Sequence, residues 1–249
     1  MEGMRAAIHL SGDNLGQGYW TATKKRRMWE SRVATTVALV ELLSRLESPP
    51  EVLVCASAVG YYGDRKDEVL TEAAPAGDGY LPELCMAWEQ AAEAARQYGM
   101  RVVHLRLGMV LAKDGGALAK MLPLFRLGMG GRLGSGRQWM SWISLVDVVH
   151  IIDRVLADTE LSGPINVVAP QLVTNAEFAH TLASLLHRPA LVAAPAFALR
   201  AVFGEMADAV LLASTRVMPA RLQQAGFPFQ HATLEVALRA VLMPSAAAA

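Results

Sequence analysis

Cys55-Ala-Ser-Ala-Val-Gly-Tyr-Tyr-Gly-Asp64 is the stretch on which the reading of this chain turns. The residues from Val52 to Ala56 are uninterruptedly apolar, and the run then gives way to a hydroxyl, glycines, tyrosines and an acid. A parallel strand buried on both faces reads as a continuous apolar segment, and in such sheets the loop at the carboxyl end of a strand carries the chemistry. The pattern therefore predicts a strand over 51–56 and a functional loop that runs to 76, with acids at Asp64, Asp67, Glu68 and Glu72.

On the N-terminal side, residues 6–10 form a short apolar strand, followed by the glycine-rich turn Ser11-Gly-Asp-Asn-Leu-Gly-Gln-Gly18. Its spacing is G-x-x-x-G-x-G. The G-x-G-x-x-G fingerprint brings backbone against a pyrophosphate, so this different spacing reads as a plain strand-to-helix loop. A helix over 21–46 follows, with a basic start at Lys24-Lys-Arg-Arg27 and an apolar face at Val33, Val37, Val40 and Leu43, and Pro49-Pro50 end it. The basic cluster reads as a solvated face, with Lys24, Arg27 or Arg32 within reach of an anionic cofactor. On the C-terminal side a helix opens near Tyr80 with Pro82 in its first turn, presents Leu84, Trp88, Ala91 and Ala95 on one face, and stops at Gly99. A third strand over 101–105 continues through 108–112, and 115–131 reads as a mobile helix and loop.

Beyond it, 134–143 reads as a turn leading into an aromatic strand. Ser144-x-x-Asp147 is a capping-box variant opening a helix through 156, 163–168 is a strand, and Thr174-x-x-Glu177 caps a helix through 187. Residues 195–243 are helical in pattern, broken at Phe227-Pro-Phe229, and 244–249 is a low-complexity tail expected to fray. Strands separated by helices of this length predict right-handed crossovers and a doubly wound parallel α/β sheet.

Composition narrows the partners. Of 249 residues 53% are apolar and 18% charged, with 23 basic and 23 acidic side chains, which gives no electrostatic case for nucleic acid or an anionic membrane. A small-molecule substrate is the expectation. Cys55 and Cys85 have no paired spacing and read as core thiols in a reducing compartment, and the N-terminus lacks a signal-peptide layout, so a cytoplasmic location is expected. The six histidines show no zinc-type spacing, and no metal site is expected. Ser57 lacks a G-x-S-x-G elbow, which removes the hydrolase reading.

The order Ala6-Ile-His-Leu-Ser-Gly12, Ser57-Ala-Val-Gly-Tyr-Tyr-Gly-Asp64, Leu105-Arg-Leu-Gly-Met-Val110 and Trp142-Ile-Ser-Leu-Val-Asp147 resembles the extended short-chain dehydrogenase/reductases, the NAD(P)-dependent epimerase/dehydratase superfamily. Tyr19-Trp-Thr21, Ser31-Arg32, Trp88-Glu89 and Gly134-Ser-Gly-Arg-Gln138 narrow it to an atypical branch of "epimerase family" proteins, and the resemblance covers nearly the whole chain. It implies a Rossmann-like sheet, with 1–194 a partial NAD(P)-binding domain and 195–243 a small, mostly helical appendage.

It also implies an N-terminally incomplete domain: the chain starts at what resembles the fourth strand, so roughly sixty residues carrying the pyrophosphate site would be missing. Dinucleotide binding would then lack its main anchor, and the strand over 6–10 would present an unpaired apolar edge.

NADP or NAD is the implied cofactor and a nucleotide-sugar or similar polar molecule the implied substrate. In typical members a Ser polarises the substrate oxygen, a Tyr transfers the proton, and a Lys four residues later lowers the Tyr pKa and holds the ribose. Ser57 matches the first role. Tyr80 is followed four places on by Leu84, and alignment on Glu89 puts Leu81 and Cys85 at the two positions, so neither register has the lysine. Tyr61 or Tyr62 could substitute for the acid/base. Gly12, Ser57 and Arg106 are the implied cofactor contacts, Arg137 and Trp142 the implied substrate contacts. The alternatives are a non-catalytic dinucleotide-binding or interaction protein and an inactive fragment; homo-oligomerisation stays open.

Overall fold

The structure, a computed structural model, describes residues 3–243, so the tail expected at 244–249 lies outside the described residues. Its centre is a parallel sheet of β1 (Ala6–His9), β2 (Val52–Ala58), β3 (Arg101–Leu107) and β4 (Gly163–Val167), side by side in that order. Because strand side chains alternate between faces, the sheet has two apolar surfaces and needs two helical covers. Leu53, Cys55 and Val102 meet Val40 and Leu43 of α2 (Thr35–Ser44) and Trp88 and Ala92 of α3 (Tyr80–Glu93). On the other face Val54, Val103, Leu105 and Ile165 meet Ile151 and Val155 of a helix over Leu145–Ala157.

The long helix expected over 21–46 is present as α1 (Ala22–Trp29) and α2, joined by a π-turn at Glu30–Ala34. Thr21 caps it through the Lys24 amide. α3 opens with Pro82 in its first turn and, after a 3-10 turn, ends at Gly99 in the left-handed conformation (φ 80°) that a glycine adopts without strain.

A second core lies off the end of the sheet. There Leu118, Leu122 and Phe125 of α4 (Gly116–Arg126) pack with Phe178 and Leu182 of α6 (Asn175–Leu185), where α5 is Leu145–Ala157. The C-terminal segment supplies Leu234 and Leu238 to this core, and Leu222 and Phe227 to the one beneath α5. Thr174 and Glu177 form the expected reciprocal capping box at the start of α6.

Two expectations are corrected. The third strand does not continue through 108–112: β3 ends at Leu107, and Met109–Leu111 leaves the sheet to pair with Trp142–Ser144. Gly108 is the crossing point, where a Cβ would stand 2.8 Å from the Ser141 carbonyl oxygen, so only a glycine fits without a shift. The segment 195–243 is also not helical throughout. Arg216–Val217 is extended and pairs in parallel with Val69–Leu70, because the loop after β2 offers it unpaired backbone groups.

Asp147 fastens this segment. Ser144 caps α5 by accepting from the Asp147 amide, as expected, and the Asp147 carboxylate accepts from the Ser144 hydroxyl at 2.8 Å and from the Gln230 and His231 amides at 2.8 and 3.1 Å. With Asp147 fully buried, Asp147→Ala strands those amides, and we expect a loss of about 3 kcal/mol in urea unfolding. Limited proteolysis should then cut first between 226 and 233.

Candidate active site

The register of the sheet places three polar side chains in one cross-strand row: Ser57 lies beside Arg106, and Arg106 beside Asn166. All three are buried, on the face covered by α3. From α3, Glu89 reaches down to the row and ties it together. Arg106 donates to both its oxygens, Nε to Oε1 and Nη2 to Oε2, each at 2.8 Å, and the Ser57 hydroxyl donates to Oε1 at 2.7 Å. This is a bidentate, charge-assisted pair, the strongest common side-chain arrangement.

The tyrosines close the row from the loop side. After β2 the chain makes a 3-10 turn at Val59–Tyr62 that swings both rings back over the strand ends. Arg106 Nη1 donates to the Tyr62 hydroxyl at 3.0 Å, and that hydroxyl donates to Asn166 Oδ1 at 2.7 Å. The guanidinium carbon also lies 3.5 Å from the Tyr61 ring centroid, a cation–π contact. The turn needs Gly77, where a Cβ would stand 2.2 Å from the Tyr62 carbonyl oxygen.

These contacts set the local electrostatics. Burial works against the Arg106 charge, but Glu89 and Tyr62 more than offset it and hold the guanidinium above its usual range. Burial pushes the Tyr62 phenol up, partly countered by Arg106. With its hydroxyl between Arg106 and Asn166, Tyr62 is committed to the network. The Tyr61 hydroxyl has no hydrogen-bond partner among the described residues.

The other sequence-chosen residues lie elsewhere. Tyr80 donates to the Lys25 carbonyl at 2.7 Å and packs edge-on against Trp20; it has no bond to the Ser57 row. Burial pushes its phenol up, with Arg32 pulling the other way. Leu81 and Cys85 are buried under Gly60. Arg137 is exposed, and Trp142 is 1% exposed inside the core with Phe178. Its neighbour Trp139 is the half-exposed indole, with Arg216 over its ring at 4.3 Å.

Glu89 is the residue that sequence reasoning used only as an alignment marker. The signal was available: Leu81, Cys85 and Glu89 stand four apart, so an acid continues the apolar stripe of α3 that faces the sheet, a placement that requires a partner.

The end of β1 is the second part of the site. Gly12 is exposed, and a Cβ there would stand 2.9 Å from the Arg32 guanidinium carbon. Beside it an open hollow of about 410 Å³ is lined by Asp13, Arg27, Glu30, Ser31 and Thr35. Among the described residues no cluster of His, Cys, Asp and Glu could hold a metal, and no helix is long and apolar enough to cross a membrane.

A parallel α/β sheet with its polar row at the carboxyl ends of the strands defines the class of nucleotide-binding α/β proteins. Within that class the chain belongs to the NAD dependent epimerase/dehydratase family, whose profile matches residues 1–168; a domain of unknown function matches 194–241. An epimerase family protein of Mycobacterium tuberculosis is 45% identical over 94% of this chain and 77% of its own length. A chloroplastic homologue from Arabidopsis thaliana is 41% identical over 97% of this chain and 70% of its own. A human epimerase family protein, crystallised with NADPH, superposes with a TM-score of 0.91 at 33% identity over 97% of this chain and 82% of that one. A nucleoside-diphosphate sugar epimerase from Corynebacterium glutamicum gives 0.78 at 35% identity, over 97% of this chain and 46% of that one.

Two outcomes follow from the geometry. Breaking the buried pair by Glu89→Ala leaves Arg106 uncompensated and should cost about 4 kcal/mol in urea unfolding, whereas the double variant Glu89→Met with Arg106→Met should cost less. Burial pushes the Cys55 and Cys85 thiols up to about 12, so at pH 8 both stay protonated. A thiol reagent should label neither in the folded protein within minutes, and both after unfolding in guanidinium.

Proposed function

We propose that this protein is an NAD(P)-dependent epimerase or oxidoreductase acting on a nucleotide-linked sugar or a similar small polar substrate. The observation that carries the reading is the convergence of Ser57, Arg106 and Tyr62 on one network at the carboxyl ends of the strands, with Glu89 at its centre. The NADPH held by the human relative and the sugar-nucleotide activity named for the Corynebacterium relative support the cofactor and substrate classes. The residues present fit part of a dinucleotide: at the end of β1 the buried Arg32 guanidinium meets no carboxylate, and the missing Cβ of Gly12 lets it pack against the exposed loop backbone.

When bound, NAD(P) supplies hydride exchange with a substrate carbon; the chain's own work is at that carbon's oxygen. The Ser57 proton points at Glu89 Oε1, which leaves the Ser57 lone pairs to accept a hydrogen bond from a substrate hydroxyl. As the carbonyl forms, the substrate proton passes to Ser57 Oγ and the Ser57 proton to Glu89. Ser57 is thereby restored, and the carboxylate takes the proton that a tyrosine takes in typical members. Arg106 keeps Glu89 oriented throughout.

A second reading, a non-catalytic dinucleotide-binding protein, is favoured by one observation: neither Tyr80 with Leu84 nor Leu81 with Cys85 supplies the Tyr and Lys pair of typical members, and Cys85 is buried away from a ligand.

Turnover of a panel of nucleoside-diphosphate sugars with NAD(H) and NADP(H) separates the two. Ser57→Ala should lower turnover by about 10²- to 10⁴-fold in a protein that stays folded, with melting lowered only by the loss of one buried hydrogen bond. If Tyr61→Phe abolishes turnover and Ser57→Ala does not, the relay through Glu89 is wrong; dinucleotide binding with no turnover on any substrate favours the second reading.

A further inference from the structure

Of the three basic residues on the helix after β1 that could meet an anion, two share one carboxylate. Lys24 donates to Asp13 Oδ2 at 2.6 Å and to the Asn14 carbonyl at 2.7 Å, and Arg27 shares the same Asp13 carboxylate at 3.5 Å. Arg32 is different. It is 9% exposed, yet its guanidinium meets no carboxylate: it donates to the Asp13 carbonyl at 3.0 Å, the Met28 carbonyl at 3.3 Å and the Ser31 hydroxyl at 3.5 Å. Its hydrogen bonds are thus largely satisfied while its charge is not. Burial alone would make such a residue expensive to keep, because an apolar side chain of similar length would fill the space without a desolvation cost.

Three features hold this charge in place. The π-turn Glu30–Ala34 puts an extra residue into the helix and turns Arg32 inward, and insertions of this kind mark functional positions in helices. Trp88 of α3 lies under the guanidinium at 5.2 Å, a cation–π seat. Gly12 lies over it, exposed, and its backbone is not in the left-handed region, so the glycine there serves the close approach. The guanidinium therefore sits between an indole on the protein side and the exposed Gly12 backbone on the solvent side. Trp88 is three residues after Cys85, so Arg32 lies over the part of α3 that carries this buried thiol and no lysine.

We propose that Arg32 is the ligand-holding cation of this site, delivering from the helix after β1 the positive charge that typical members deliver from the lysine on α3, and that it holds the nicotinamide-ribose half of the dinucleotide. The proposal rests on the NAD(P) reading above and adds the residue by which this chain meets it. Arg32 acts here as a binding residue; the chemistry at the substrate oxygen stays with Ser57 and Glu89.

The test is a titration of the purified full chain with NADPH and, separately, with 2′,5′-ADP, which lacks the nicotinamide mononucleotide half. Arg32→Met should weaken NADPH by at least about tenfold, leave 2′,5′-ADP within about twofold, and not lower the melting temperature of the ligand-free protein, since a buried unpaired charge has been replaced by an apolar chain. Arg32→Lys should recover most of the NADPH affinity. Unchanged NADPH affinity in Arg32→Met overturns the proposal. A parallel loss of both ligands together with a lowered melting temperature also overturns it, because that is the signature of a structural role. If the wild-type chain binds 2′,5′-ADP but not NADPH, Arg32 holds no nicotinamide-ribose half and the proposal falls alone; if it binds neither, the dinucleotide reading itself falls.

Discussion

The buried pair between Arg106 and Glu89 is the constraint on which the site depends. Two charges out of water gain stability only where geometry is close and the remaining donors and acceptors are filled. Here the bidentate contact uses Nε and Nη2, Tyr62 takes Nη1, and Ser57 fills the second valence of Glu89 Oε1. Meeting those requirements fixes the seating of α3 on the sheet, the alignment of β2 with β3, and the path of the loop that carries Tyr62. A shift of α3 by one turn along its axis, about 5.4 Å, would leave both charges unpaired. The pair thus selects one arrangement of elements that apolar packing alone would hold less specifically.

The loops around the site obey a second constraint, the close approach of backbones. At Gly77 and Gly108 the space for a Cβ is filled by the carbonyl oxygens of Tyr62 and Ser141, so these glycines mark places where two chain segments cross. The first crossing packs the loop 63–77 beneath the tyrosine turn. The second sends Met109–Leu111 off the sheet to pair beside Trp142, which places the second core, built by α4 and α6, off the end of β3. Asp147, at the start of α5, ties the C-terminal segment to the helix over the sheet by accepting two of its amides. Function at the strand ends is therefore supported by segments far away in sequence.

The sheet was legible because its strands are near-continuous apolar runs, a signal that survives without knowledge of neighbours: 6–10, 51–56 and 101–105 each contain or overlap an observed strand. The caps at Ser144 and Thr174 were legible for the same reason, since their partners lie three residues away. What was not legible depends on register. That Ser57, Arg106 and Asn166 form one row follows from which residues pair across three strands, and no local pattern encodes it. The acid at Glu89 and the crossing at Gly108 belong to the same class: each is a local anomaly, an acid on an apolar stripe and a glycine in an apolar run, whose meaning appears only when the partner segment arrives.

The two deeply buried guanidiniums on this face of the molecule show how one side-chain type serves two ends. Arg106 enters with a carboxylate, a phenol and an aromatic ring, and its charge is spent within the fold. Arg32 enters with carbonyls, a hydroxyl and an indole, groups that satisfy its protons and support its charge without cancelling it. Carbonyl oxygens and a ring face lower the cost of keeping a cation under the surface without cancelling its charge. An internal carboxylate would have been the more stable solution for the folded chain. Its absence beside Arg32, where Asp13 offers its backbone oxygen to Arg32 and its carboxylate to Lys24, is the structural difference between a cation that builds the site and a cation that faces a ligand.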